Sequence, residues 1–365
     1  MKLAFVAPSI SIHVVKWLDW FAKRGYEVHL ITPLYRRPAR TYHPSIKIHI
    51  LKNVLPIHWR GSQPLNILRW TDQIADILSK VQPDIIEGQF IGMTGYTAWL
   101  ACSMLKHPPA LVLQAWGSDI LINSKRPWDR WMTSKALKRA GLVFCDSAAV
   151  QAGLEKLNTD MSKVRRINNG IDTKAFCPPP KGAKRDKIIL YTRNLEPVYD
   201  TETAVRAIPL VLEQFPDAQF VFCGEGQLRL GLEKLALSLG IQENTTFAGR
   251  LPPAEVKEWL QKARIYISSS LSDSTSLSLM EAMSCGLPPV ISDIPANREW
   301  VQHGLNGFLW QTGDSKALAN CIIMLLRNPE QAEAFGKLNR EIVVQEADYE
   351  YNMAKIEGYY KELVG

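Results

Sequence analysis

One pattern constrains this chain more than any other. Short β-branched segments alternate with stretches of helical periodicity, and the whole alternation occurs twice. The first series places strands at residues 2–7, 27–32, 47–51, 84–87, 110–114, 142–145 and 164–167. Between the first two, Val14, Val15, Trp17, Leu18 and Phe21 recur on one helical face, and Gly25 ends that helix. The second series places strands at 187–192, 219–223, 245–248, 265–268 and 289–292. Strand–helix–strand order repeated in this way specifies a parallel, doubly wound sheet. The series are separated by the turn Asn168-Asn169-Gly170-Ile171-Asp172 and by Pro178-Pro179-Pro180-Lys181-Gly182, which breaks any regular element. A length of 365 residues also exceeds what one hydrophobic core sustains. The expectation is two Rossmann-like α/β domains, residues 1–175 and 176–345, joined by a short stiff linker. Ligands of such sheets bind beyond the carboxyl ends of the strands, which puts the expected site in a cleft where two domains face each other.

Charge is divided unevenly between the halves. Residues 1–175 hold 13 Lys and 11 Arg against 9 Asp and 3 Glu, a balance of +12, whereas the whole chain carries +7. The rest therefore carries −5, and the asymmetry points to a polyanionic partner for the first half. Nucleic acid is set aside because no reading motif is present. Phosphorylated small molecules and an anionic membrane surface remain. Basic residues stand beside aromatics in His58-Trp59-Arg60, in Arg69-Trp70 and in Lys125-Arg126-Pro127-Trp128-Asp129-Arg130-Trp131. Trp interleaved with Lys and Arg suits a membrane interface, and equally a solvated surface with partly buried tryptophans. The apolar runs are far shorter than the ~18 residues of a membrane span. The opening, closed by Pro8, reads as a first strand rather than a signal peptide. The six cysteines neither pair at CxxC spacing nor cluster with His, which excludes the usual zinc patterns and argues against a disulfide framework. A cytoplasmic protein, peripheral on the inner face of the membrane at most, is the expected setting.

Chemistry concentrates after the strand at 265–268. Ser269-Ser270-Leu271-Ser272-Asp273-Ser274-Thr275-Ser276-Leu277-Ser278 is rich in hydroxyls and opens a helix, whose N-terminal amides and dipole favour an anion. Asp273 in the loop and Glu281 in the helix are natural partners for sugar hydroxyls, with ordinary capping by Ser274 or Ser276 as the alternative. Arg193 ends the second domain's first strand, where a guanidinium suits a pyrophosphate or a surface ion pair. Gly224-Glu225-Gly226 follows the next strand and would let backbone approach a nucleotide, without completing the dinucleotide fingerprint. In the first domain, Asp119 in Trp116-Gly117-Ser118-Asp119 either touches a substrate hydroxyl or caps the following turn. His13 ends a loop that reaches toward the cleft or lies at the surface.

These residues together resemble the family-four glycosyltransferases, retaining nucleotide-sugar enzymes of the GT-B fold. Ser270-Leu271-Ser272-Asp273, continued by Leu279-Met280-Glu281-Ala282-Met283-Ser284-Cys285-Gly286-Leu287-Pro288, resembles the family's paired-carboxylate signature. Asn169-Gly170-Ile171-Asp172, Gly224-Glu225-Gly226 and Phe247-Ala248-Gly249-Arg250 are similar to its interdomain, glycine-turn and base-holding segments. The tail, residues 346–365, resembles a last helix that packs back on the first domain. The resemblance implies an acceptor-binding first domain and a donor-binding second one. It implies that Glu281 holds the ribose hydroxyls, that Asp273 contacts the transferred sugar, and that amides near Ser276 and Leu277 bind the diphosphate with Arg193. Gly224, Gly226 and Arg250 would line the nucleotide; Asp119, from its place at a strand end, is a further catalytic candidate. It further implies a UDP-sugar in preference to a GDP-sugar and a polysaccharide or lipid-linked acceptor, with no metal and no separate cofactor. In such enzymes the leaving phosphate takes the acceptor's proton. The chain departs from the pattern at Asp273, where Glu is usual, at Val198 for Lys, at Trp116 for His, and at residues 9–13 for a Gly-Gly loop. A nucleotide-sugar epimerase using His13 and Asp119, or a non-catalytic binding protein of the same fold, are the alternatives.

Overall fold

The computed structural model of the chain describes residues 1–8, 11–33, 41–52 and 62–365. Residues 9 and 10 of the first loop, the His13 side chain and His58-Trp59-Arg60 lie outside the described residues. The chain divides into two compact units, Met1–Asn169 with Met353–Gly365, and Gly170–Asn352. Among the described residues no helix is long and apolar enough to cross a membrane.

The first unit holds one parallel sheet. Its strands are β1 (Lys2–Val6), β2 (Glu27–Thr32), β3 (Lys47–Ile50), β4 (Ile85–Gln89), β5 (Ala110–Ala115), β6 (Leu142–Cys145) and β7 (Val164–Arg166), in the order β3-β2-β1-β4-β5-β6-β7. Chain order reverses between β1 and β4, which makes their carboxyl ends the natural place for a ligand. Side chains alternate between two covered faces. Ala4, Val6, Ile86 and Leu113 pack against Ile67, Trp70 and Ile74 of the helix Ser62–Val81. From the opposite layer, Phe21 of the helix Ile12–Lys23 stacks its ring on Tyr360 of the helix Tyr349–Val364, with centroids 5.3 Å apart.

The second unit repeats the plan with β8 (Ile188–Tyr191), β9 (Gln219–Phe222), β10 (Thr245–Phe247), β11 (Ile265–Ser268), β12 (Pro289–Ser292) and β13 (Phe308–Trp310), in the order β10-β9-β8-β11-β12-β13. Ile189 and Tyr191 face a layer formed by the helices Thr201–Leu212 and Ser315–Arg327, while Ile188 and Leu190 face the layer of the helix Leu277–Ser284. The strand β13 was not expected, because only the four-residue helix Pro295–Arg298 separates it from β12 and no strand–helix–strand alternation announces it.

The division between the units falls at Asn169 and Gly170 rather than at residue 175. Residues 170–177 bond to the second unit. The Ile171 amide donates to Ala347 O at 2.9 Å, and the Tyr349 amide donates to Ile171 O at 2.9 Å. Arg340 donates to Thr173 O at 2.8 Å and to Phe176 O at 2.9 Å. Gly170 has φ +66, and a Cβ there would lie 2.8 Å from the Tyr349 Cα, so both the backbone conformation and the close approach require glycine. The last helix starts at Tyr349, and from Met353 onward it groups with the first unit.

Candidate functional site

The second unit gathers its polar residues at the carboxyl ends of β8 and β11. Two loops meet there. Tyr191, fully buried at the end of β8, places its hydroxyl 2.9 Å from Thr201 Oγ1 and donates to Tyr199 O at 3.3 Å, which fixes the loop carrying Arg193. Ser269 Oγ donates to the same Tyr199 carbonyl at 2.7 Å, and the Leu271 amide donates to Val198 O at 2.9 Å. Ser292 Oγ holds Ser270 O at 2.6 Å. Much of the hydroxyl-rich stretch is thus spent on tying the loops together, a role that composition alone does not reveal.

At the meeting point Arg193 Nη2 reaches Asp273 Oδ2 at 2.6 Å, with only 10% and 16% of the two side chains exposed. Arg193 Nη1 donates to Ser276 Oγ at 2.9 Å and to Ser278 Oγ at 3.1 Å, and the guanidinium lies 4.3 Å over the Tyr199 ring. Ser276 caps the helix Leu277–Ser284 by accepting the Leu279 amide at 3.3 Å. Asp273 Oδ1 accepts the Ser274 amide at 3.0 Å. Burial opposes the Arg193 charge, but Asp273 and the surrounding tyrosines outweigh it, so the guanidinium titrates above its ordinary range. Arg193 Nε is buried with no hydrogen-bond partner among the described residues. The structure therefore brings Arg193, Asp273 and Ser276 together, with Leu277 opening the helix beside them. Glu281 stands one turn further along, partly exposed. The cluster can exchange a carboxylate for another anion at the same guanidinium.

The glycine turn packs closely against the loop that carries Arg193. A Cβ on Gly224 would lie 2.1 Å from Arg193 O, and one on Gly226 would lie 2.3 Å from Leu195 O. The close approach that these glycines permit is to the backbone that presents Arg193, and the Leu195 amide seals it by donating to Glu225 O at 2.9 Å. Arg250 is exposed. The residue that organises this corner is Arg229, which pairs with Glu225 and Glu233 and donates to Phe247 O at 3.1 Å. Its four-residue spacing from both glutamates was the available signal.

Asp119 needs correction. Its side chain is fully buried, and both oxygens accept backbone amides. Oδ1 takes Gly117 at 2.9 Å, Trp116 at 3.1 Å and Ile120 at 3.1 Å, while Oδ2 takes Ile91 at 2.9 Å and Trp116 at 3.2 Å. Burial raises the pKa of its carboxyl, against the pull of these four amides. A carboxylate so committed holds the loops after β4 and β5 in place and has no lone pair directed at a substrate. This also removes one of the two acid–base groups that an epimerase would need.

Comparison with known proteins identifies the family. Residues 2–147 match the family model described as glycosyl transferase 4-like, and residues 176–342 match glycosyl transferases group 1. The N-acetyl-alpha-D-glucosaminyl L-malate synthase of Bacillus anthracis is 22% identical over 352 residues, covering 94% of this chain and 91% of that one. Among solved structures, sucrose-phosphate synthase from Thermosynechococcus elongatus superposes with a TM-score of 0.81 at 19% identity, covering 100% of this chain and 99% of that one. Anabaena HepE, solved in complex with UDP, gives 0.80 at 17% identity, covering 99% and 100%. The chain belongs to the family-four-like glycosyltransferases of the GT-B fold, enzymes that act on nucleotide sugars, as a divergent member.

Proposed function

We propose that this protein is a retaining, metal-independent transferase that moves a sugar from a nucleoside diphosphate sugar, UDP-linked in preference to GDP-linked, to a polysaccharide or lipid-linked acceptor. The observation that carries the reading is the cluster of Arg193, Asp273, Ser276 and Ser278 at the start of a helix. As the bond from the anomeric carbon to the diphosphate breaks, negative charge grows on the leaving phosphate. Arg193 and the first helix amides neutralise it from fixed positions, and such preorganised donors are worth about 10²–10³-fold each. Asp273 faces the positive charge that develops on the sugar. The acceptor oxygen bonds to the anomeric carbon on the face the phosphate leaves, and its proton passes to that phosphate. Glu281 holds the ribose hydroxyls. The preference for UDP draws support from HepE, which was solved with UDP and with UDP and glucose.

A thermal-shift comparison of UDP, GDP and ADP tests the donor half. UDP at 100 times its Kd adds about 2.7 kcal/mol of stability, and the shift persists in EDTA. No shift with any of the three nucleotides would end the donor assignment.

The first unit is further proposed to dock on an anionic membrane. In the helix Pro127–Arg139 the exposed residues Trp128, Trp131, Lys135 and Lys138 follow one another at helical spacing along one face. The two indoles pack 5.5 Å apart, with Trp128 55% and Trp131 50% exposed. Each Lys or Arg near such a surface contributes about 1 kcal/mol, screened by salt. In flotation, the protein should rise with phosphatidylserine vesicles at low salt. Replacing Arg126, Arg130, Lys135 and Lys138 together should abolish this. Equal flotation of the parent and the fourfold variant would sink the docking surface.

A further inference from the structure

We infer that the first unit contains a binding site for the alkyl chain of an amphipathic, hydroxyl-bearing acceptor. The inference rests on the transferase reading above and narrows its acceptor to the lipid class. A cavity of about 380 Å³ lies beyond the carboxyl ends of β1, β4 and β5. Its walls are mainly apolar, formed by Val14, Ile67, Trp70, Phe90, Met93 and Tyr96. At roughly 30 Å³ for a water-sized group, that space holds about a dozen methylenes. Ser11, Gln89, Thr94, Asn123, Arg126 and Asp129 add polar groups to the lining.

Two details mark the cavity as a binding site rather than a packing defect. Phe90 has φ +92, a conformation that a bulky residue adopts only when its surroundings impose it. Here they do. The Phe90 amide donates to Gln114 O at 3.1 Å, and its carbonyl accepts from Gly92 N at 2.9 Å, Thr94 Oγ1 at 3.0 Å and Gly95 N at 3.1 Å. The ring is thereby fixed in the wall. Gln89 also lines the cavity and is only 1% exposed. Its Nε2 donates to Glu87 Oε1 at 2.7 Å, while its Oε1 is buried without a partner among the described residues. That oxygen is enclosed in the free protein; a turn of the side chain toward the cavity would present it to an acceptor hydroxyl and relieve the cost of an unpaired buried carbonyl.

The surroundings identify where such a molecule comes from. Arg126 and Trp128 line the cavity and are exposed, which places them at its mouth, and Asp129 is the one acid among the lining residues. Ile122 is 61% exposed, and Leu65 and Leu68 are exposed beside the lining residue Ile67. An apolar cavity opening among exposed aromatic, aliphatic and basic side chains fits a chain drawn from an anionic bilayer.

Calorimetry with butyl, hexyl and octyl glucoside, kept below micelle concentrations, tests this on the full chain. Affinity should rise about fourfold per methylene, and methyl glucoside and maltotriose should bind far more weakly. Met93→Trp, which fills the cavity, should remove the dependence on chain length. Trp128→Ala, an exposed change that spares the fold, should weaken octyl glucoside severalfold. UDP stabilisation measured on the same samples should be unchanged in both variants, showing that they are folded. Equal binding of methyl and octyl glucoside, no binding of either, or a chain-length dependence that survives Met93→Trp would overturn the site. Tighter binding of maltotriose than of octyl glucoside would also overturn it, in favour of a polysaccharide acceptor. If UDP stabilises while no alkyl glucoside binds, the lipid site falls and the transferase reading stands. If UDP itself has no effect on the parent protein, it is the donor assignment that fails.

Discussion

Asp273→Asn should lower sugar transfer by about 100-fold or more while leaving UDP bound as tightly as before, or up to about tenfold more tightly. The two halves of this result have different causes. Asn keeps the size of the side chain and removes its charge, so the positive charge developing on the transferred sugar loses its partner. In the unliganded protein the carboxylate is held by Arg193 at 2.6 Å and by the Ser274 amide at 3.0 Å. A shift of about 1 Å at a reacting centre already costs about 100-fold. Binding responds in the other direction. In the free protein Asp273 is the counter-charge of Arg193, and the diphosphate must take its place. Without it, a largely buried guanidinium is left with two serine hydroxyls and no anion, which destabilises the unliganded fold. UDP restores the missing charge, so its thermal shift should be larger in the variant than in the parent. Full turnover in Asp273→Asn would remove this residue from the mechanism.

How far the sequence revealed the molecule depended on whether a signal was local. The double α/β plan was legible because short apolar runs such as residues 3–6, 188–191 and 265–267 alternate with helical stretches. Phe308–Trp310 is also apolar, but only the four-residue helix Pro295–Arg298 separates it from β12, so no such alternation announces it. Arg193 was legible from its place at a strand end, and Asp273 from its hydroxyl-rich loop. Their ion pair joins residues 80 positions apart and has no local signature. Asp119 was left open between a substrate contact and a cap for the same reason. A carboxylate aimed at a substrate and one enclosed by amides have identical neighbours in sequence, and the Ile91 amide that decides between them lies 28 residues away. The domain boundary was read across the turn at 168–172 and the proline run at 178–180, and set at residue 175, because both segments break regular elements. The true division is set by hydrogen bonds from residues 171–176 to Arg340, Ala347 and Tyr349. The cavity in the first unit was invisible because its walls come from several separate elements.

The sharpest test of the donor site compares Arg193→Ala and Glu281→Ala against two ligands, UDP and uridine. Arg193→Ala should weaken UDP about 10- to 150-fold, the equivalent of one charge-assisted hydrogen bond at about 1.5–3 kcal/mol. It should leave uridine unaffected, since uridine has no phosphate. Glu281→Ala should weaken both ligands by a similar factor, because the ribose is common to them. Arg193→Lys should recover only part of the loss. Lysine keeps the charge but cannot hold Asp273, Ser276 and Ser278 from one planar group as the guanidinium does. The double change Arg193→Ala with Asp273→Ala should bind UDP better than Arg193→Ala alone. With the cation gone, Asp273 repels the incoming diphosphate, and deleting it relieves that repulsion. Such a non-additive cycle is the signature of two groups in direct contact. Additive losses would mean that the ion pair plays no part in binding the donor. Parent-like UDP affinity in both Arg193→Ala and Glu281→Ala would place the nucleotide elsewhere in the second unit.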